Sequence, residues 1–349
     1  MNPRLVTRIG SFTLPNPIIC GSGEPVMTEA GIRAALAAGA AGVIAKSVNE
    51  RPEAAAQLDR ADYARADAFG RVLAWDMPGS SLFCRSGLQQ RGFADWFAAL
   101  ARIDRDVAPE QKFVAASLVL GSQEGAVRIG AAARQAGLRV FELNIGAPHA
   151  SEATPGAIVQ ETEPGRVQNL VAAVRAATEG MQLWVKLTGL SINLPALAVA
   201  AKQGGADAVV MMGRFMGMIP DLDSFAPVLG TSAAYSGPWA LPIVCRFLAL
   251  SRRAVGADFP LLGTNGVRNG VDVARMGLAG ASAVEALSVV MLEDFSALTR
   301  IRDELDAELA ARNTNFADLV GRAADRLEAY GEQPANPGHW RNFVPSASK

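Results

Sequence analysis

Much of what would assign this sequence quickly is missing from it. Its three cysteines, Cys20, Cys84 and Cys245, stand far apart with no CxxC spacing. That argues against a disulfide framework and leaves an iron–sulfur cluster without its usual complement of thiolates. Two histidines are too few for a His-rich metal site, and aromatic residues make up only 6% of the chain. Lys and Arg total 33 against 34 Asp and Glu, with no basic run. Neither nucleic acid nor an anionic membrane surface is therefore expected as a partner. No stretch reaches the roughly 18–20 apolar residues of a membrane span, and the N-terminus carries no apolar signal segment. The expectation is a cytoplasmic protein. The GxGxxG fingerprint of an open dinucleotide-binding sheet is also missing, because Gly21-Ser22-Gly23 has no third glycine at the required step.

What is present is 349 residues, half of them hydrophobic, with 34 glycines, enough for one large α/β domain or two smaller ones. Short apolar runs at 15–20, 43–45, 113–118, 140–143, 183–187, 208–212, 259–262 and 283–286 read as strands. Between them lie helical patterns at 28–38, 93–103, 125–135, 165–178, 195–203, 241–255 and 271–278. Thr28 is placed to cap the first of these, with Glu29 at the positive end of its dipole. Residues 289–309 read as one long helix and 316–330 as another. The connection 49–78 has weak apolar spacing, reads as helical over 54–69 by composition, and is long enough to be an active-site excursion or lid.

Eight short strands alternating with helices imply a parallel sheet covered on both faces, and eight units suggest closure into a (β/α)8 TIM barrel. The fold expected is a single-domain barrel over 1–310, with an inserted excursion after the second strand. A helical C-terminal extension and irregular tail over 311–349 would pack on it. In such a barrel the strand ends meet on one face, which would carry Ser22, Lys46, Ser47, Ser117, Asn144, Lys186, Arg214, Asn265 and Ser288. The loop 140–149, VFELNIGAPH, places Asn144 and His149 among small residues that leave room for a ligand. Gly263-Thr264-Asn265-Gly266 and Gly280-Ala281-Ser282 belong to the last two units, where barrels often bind phosphate. The plainer reading of these glycines is that they permit tight turns. Lys46 and Lys186 follow apolar strand residues and so point to an anionic ligand, the alternative being surface cations.

The succession NPIICGSG, AKS, SGLQ, ELNIGAPH, VKLT, GGADAVV and LLGTNGV with GLAGASAVEA resembles the dihydroorotate dehydrogenase superfamily. It is nearest the class 1 enzymes and the related domain of dihydropyrimidine dehydrogenases. The resemblance runs from Asn16 to Asp294 and implies an FMN-binding barrel. By the same resemblance Gly21, Ser22, Lys46, Ser47, Asn144 and Lys186 would line the flavin, and Gly266 and Ser288 would help hold its phosphate. Lys186 would sit by the pyrimidine edge, where a cation favours the reduced ring.

The pattern then departs from the family. Class 1 members carry a catalytic cysteine at the position of Ala147, and alanine has no proton to exchange. Dihydropyrimidine dehydrogenases carry theirs where this chain has Ile158. Cys84 stands where a pyrimidine-binding asparagine is expected, and Gly213-Arg214 replaces an Asn-Ser/Thr pair. Each buried donor or acceptor left unpaired costs about 1–3 kcal/mol, so dihydroorotate and uracil fit poorly as substrates. The remaining candidates are His149 as acid or base (or a loop residue bonding backbone), Lys46, and Cys84 as a base or a small core residue. Asn144, His149 and Arg214 are candidates for substrate binding, with Glu24 and Tyr235 behind them.

Three functions compete. The leading one is an FMN-dependent oxidoreductase acting on a CH–CH or C–N bond of a small, anionic, cyclic substrate. The second is a cofactor-free lyase using Lys186 as a Schiff base. The third is a non-catalytic flavin-binding subunit. The leading reading leaves room for a separate electron-transfer partner, and homodimerisation is an expectation from the family.

Overall fold

Along four of the barrel strands, inward-facing side chains change from apolar to polar within two residues, and that change places the site. The structure, a computed structural model, describes residues 2–147 and 158–345. Eight parallel strands close into a barrel: β1 (Ile18–Cys20), β2 (Gly42–Ile44), β3 (Phe113–Val119), β4 (Val140–Asn144), β5 (Gln182–Lys186), β6 (Ala208–Met211), β7 (Leu261–Thr264) and β8 (Ala281–Ala286). Each pairs with its successor, and β8 closes on β1 through Val284 opposite Ile18. The outer helices are α1 (Glu29–Ala37), α2 (Phe93–Val107), α3 (Gln123–Ala136), α4 (Pro164–Ala177), α5 (Leu194–Gln203), α6 (Leu241–Val255), α7 (Gly270–Leu278) and α8 (Ser296–Ala311). The (β/α)8 expectation is therefore met. Thr28 caps α1, its hydroxyl accepting from Gly31 N at 3.1 Å, and left-handed Gly137 ends α3.

The lower barrel interior is apolar. Ile44, Phe113, Val140, Trp184, Val210, Leu262 and Ala283 pack there with Ile9 and Leu14. The last two come from a hairpin, Thr7–Ile9 against Phe12–Leu14, that plugs the bottom and was not foreseen. The Phe113 ring meets Trp184 edge-on at 5.2 Å and stacks with Phe12 at 6.0 Å. One inward step further up, Ser117, Glu142, Lys186 and Glu285 replace the apolar residues.

Three readings of the sequence are corrected. The helix drawn over 54–69 stops at Ala56. After a 3-10 turn the chain forms a strand, Asp62–Ala66, that pairs with Ser81–Arg85. These strands join Phe215–Gly217 and Ala233–Ser236, inserted after β6, in one five-stranded sheet. The long helix over 289–309 is two, Ser288–Leu292 and α8, separated at Asp294, whose φ is 142°. The helix over 316–330 is a single turn, Phe316–Leu319, after which the chain passes through 3-10 turns. Beyond it Tyr330, Trp340 and Phe343 are exposed. Among the described residues no helix is long and apolar enough to cross a membrane.

Trp184→Ala, which removes the largest side chain of the barrel plug, is expected to cost about 3–5 kcal/mol in denaturant unfolding. A loss below about 1 kcal/mol would show that the plug does not hold the barrel.

Candidate active site

The C-terminal strand ends surround a cavity. Gly21, Ser22, Lys46, Ser47, Cys84, Asn144, Lys186, Arg214, Gly266 and Ser288 all line it. The sequence reading thus collected residues that the fold brings together. His149 lies outside the described residues.

The upper part is a polar cluster built partly by the added sheet. Lys46 Nζ donates to Glu24 Oε1 and to Ser86 Oγ, each at 3.0 Å. Tyr63 OH donates to the same carboxylate oxygen at 2.7 Å, and Ser86 Oγ at 2.5 Å. Burial alone would raise the Glu24 pKa, but the Lys46 charge and the three donors outweigh it and hold it at about 2. Lys46 moves the other way. Its pKa is lowered because burial and the nearby Arg214 outweigh the attraction of Glu24. The pair is therefore worth less than the Glu24 shift alone would suggest. Arg214 is half-buried, and Cys84 and Glu24 more than offset its partial desolvation and keep the guanidinium charged. Its Nη1 lies 2.7 Å from Cys84 Sγ.

The lower part is a second cluster. Ser22 Oγ meets Ser47 Oγ at 3.0 Å, Ser47 meets Ser117 at 2.9 Å, and Ser117 donates to Glu142 Oε1 at 2.9 Å. Lys186 Nζ lies 3.0 Å from Glu142 and 2.5 Å from Glu285, which hold its charge against burial and raise its pKa. One wall is apolar, where Ala147 and Ile158 pack with Leu88 and Val119.

Sequence reasoning missed Glu142, Glu285, Ser86 and Tyr63. A charged residue inside an apolar strand, as in VFELN and ASAVEA, was the available signal for the first two. Gly280-Ala281-Ser282 is corrected: it opens β8 at the opposite barrel end, where Ser282 O accepts from Thr7, and it cannot hold a ligand at the mouth. Asn265 braces neighbouring loops, donating to Met212 O and Gly213 O at 2.8 and 2.9 Å. Tyr235 stacks on Phe83 at 4.1 Å within the added sheet.

The sequence profile of the dihydroorotate dehydrogenase family matches residues 4–309. The chain belongs to that family. It is 27% identical over 325 residues to the dihydroorotate dehydrogenase B (NAD(+)) catalytic subunit of Methanocella arvoryzae, covering 92% of this chain and 98% of that one. To the dihydroorotate dehydrogenase B (NAD(+)) catalytic subunit of a Geobacter species it is 34% identical over 188 residues, 53% of this chain and 59% of that one. To dihydroorotate dehydrogenase A (fumarate) of Limosilactobacillus reuteri it is 30% identical over 178 residues, 51% and 56%. In these last two comparisons the matched stretch spans little more than half of the relative.

The chain is a flavoprotein oxidoreductase of this family's type, and its cofactor is FMN. The residues present fit that group. Gly21 brings bare backbone to the lining beside Leu287 and Glu285. Asn144, Ser22 and Ser47 supply neutral polar contacts at the strand ends. Lys186 lines the same cavity with its charge already matched by two carboxylates.

A carboxylate held at about 2 instead of its ordinary 4.5 stabilises the fold above about pH 4.5 and loses that contribution as pH falls toward 2. The upper limit is about 3 kcal/mol, reduced by the opposing shift of Lys46. Unfolding free energies are expected to fall more steeply over this window in the wild type than in Glu24→Gln. Equal slopes would remove Glu24 as an anchor of the cluster.

Proposed function

We propose that this chain is an FMN-dependent oxidoreductase acting on a carbon–carbon bond of a small cyclic carboxylate whose ring is more apolar than that of dihydroorotate. The observation that carries this reading is the cavity's polarity. In the upper part of the cavity, among the described residues, buried Lys46 and half-buried Arg214 sit with one carboxylate, Glu24, while Ala147, Ile158, Leu88 and Val119 form an apolar wall. A ring seated between them needs an anionic end and an apolar body. The imide and amide edge of a dihydropyrimidine would meet Cys84 and Gly213 where the family pattern has asparagines and Arg214 where it has Ser or Thr, and a mismatched buried polar group costs about 1–3 kcal/mol.

Bound FMN supplies hydride transfer. The protein's own tasks are to hold the ring and to move a proton. Arg214 and Lys46 would bind the carboxylate, and Asn144 would orient the ring. Cys84, against the Arg214 guanidinium, is the proposed proton carrier in place of the cysteine that Ala147 replaces, with His149 as the second candidate. Glu24 keeps Lys46 in position. Gly266 and Ser288 would hold the FMN phosphate, with Gly21, Ser22, Ser47 and Lys186 along the ring. A Schiff base on Lys186 is disfavoured, since two carboxylates keep its amine protonated and without a free lone pair. Two relatives are named catalytic subunits, which supports a separate electron-transfer partner for this chain. A homodimer in the cytoplasm completes the reading.

Anaerobic mixing of the oxidised holoprotein with a panel of alicyclic carboxylates, dihydroorotate included, tests the substrate class. Bleaching of the flavin by an apolar-ring acid is expected, and rapid bleaching by dihydroorotate alone would overturn the reading. Arg214→Met is expected to keep FMN but to weaken carboxylate binding by at least about 30-fold in flavin spectral titrations, the lower end of what a lost buried charge partner costs. An unchanged affinity would exclude Arg214 as the carboxylate clamp.

A further inference from the structure

Lys186 is the residue from which the family resemblance promised an uncompensated charge, and the structure shows it compensated twice. Its Nζ contacts Glu285 Oε2 and Glu142 Oε2 together, and all three side chains are buried. Two ionised carboxylates on one ammonium would leave a net negative charge inside the barrel, which low polarity penalises heavily. Retaining one proton between the carboxylates removes that charge. Glu285 Oε1 is the place left for it, a buried oxygen that no donor of the described residues reaches.

The surroundings supply no other answer. From β1 the Cys20 thiol is pushed up to about 12 by burial and, in smaller part, by the Glu285 charge. From β7 the Thr264 hydroxyl is used on the Glu285 backbone carbonyl at 3.2 Å. From β4 and β5 come only Glu142 and Lys186 themselves. Lys186 and Glu285 line the cavity, so the cluster borders the space the cofactor fills.

We propose that Glu142 and Glu285 act as one proton-holding pair that takes up a proton when the neighbouring cofactor is reduced, along the hydroxyl chain Ser22–Ser47–Ser117. The links of that chain, 3.0, 2.9 and 2.9 Å, run without a break from the cavity to Glu142. Each hydroxyl can donate onward as it accepts from behind. The step forms one O–H bond on a carboxylate and breaks one in water at the cavity mouth. The electrons come from the reductant and stay on the cofactor, so neither carboxylate changes oxidation state. The proton offsets negative charge gained next to it.

The direction of the pH effect follows. A proton site beside a gained negative charge binds its proton more tightly in the reduced protein. At low pH the pair is occupied in both states, and reduction takes up nothing extra there. Once the oxidised pair has lost its proton, reduction restores it. Burial and the adjacent Glu142 raise Glu285 to about 8, which puts the change near that pH.

Potentiometric titration of the FMN-loaded protein with dithionite on either side of that pH reads the effect without reference to any substrate. Proton uptake per two electrons is expected to be greater by one above the transition than below it. Glu285→Gln is expected to keep FMN and lose the step. Infrared difference spectra between reduced and oxidised wild type, recorded above the transition, are expected to show a protonated carboxyl appearing on reduction. Both wild-type measurements stand even if the variant does not fold. Constant proton uptake across the range, or no carboxyl band, would overturn the proposal, whatever the substrate proves to be.

Discussion

A buried ammonium shared by two buried carboxylates sets the terms for the rest of this molecule. Lys186, Glu142 and Glu285 come from β5, β4 and β8, and they meet only because the sheet is closed. An open sheet would leave β8 and β5 far apart and each charge unmatched. Removing one member of such a group leaves a desolvated charge, at a cost of about 3–5 kcal/mol, whereas the intact group need add little to stability. The cluster therefore penalises misassembly more than it stabilises the native barrel. The apolar plug below, centred on Phe113 and Trp184, provides the burial that lets so polar a layer be tolerated.

Above that layer the site depends on two insertions far apart in sequence. Tyr63, Cys84 and Ser86 come from the excursion after β2, and Arg214 follows β6. They meet because Ser81–Arg85 pairs with Ala233–Ser236, which sets Cys84 opposite Ala234. The Arg214–Cys84 contact is thus a product of long-range pairing, and nothing local to either residue encodes it. The polar half of the cavity is as well ordered as that small sheet is.

The barrel was legible in the sequence because its strands are short, apolar and evenly spaced, and because glycines such as Gly137 mark helix ends. The strand-end residues were legible for the same reason, since a closed barrel brings strand ends together whatever their identity. What could not be read was pairing. The segment 54–69 is rich in Ala and Arg and favours helix locally, yet Asp62–Ala66 is a strand because Ser81–Arg85 lies beside it. Likewise 316–330 has helical composition, but Phe316 is buried against the barrel and left-handed Gly321 turns the chain after one helical turn. Glu142 and Glu285 stood in plain view within apolar strands. Their meaning required knowing that both point at the same lysine.

Ala147 is best understood through its neighbours. Ala147 packs with Ile158, Leu88 and Val119, so the family's position for acid–base chemistry is part of an apolar wall. The polar and titratable groups have gathered on other sides: Cys84, Arg214, Glu24 and Lys46 in the upper cluster, and Glu142 and Glu285 on the floor. That redistribution is coherent. Under the proposed function it would give a substrate ring an apolar surface where the cysteine would stand and charged contacts at the other end. Under the proposed proton uptake it would also set beside the cofactor a group that changes its own charge by one proton. Each feature alone resembles drift from a family pattern, but together they are what the proposed function requires, a site in which substrate recognition and proton handling fall to different residues.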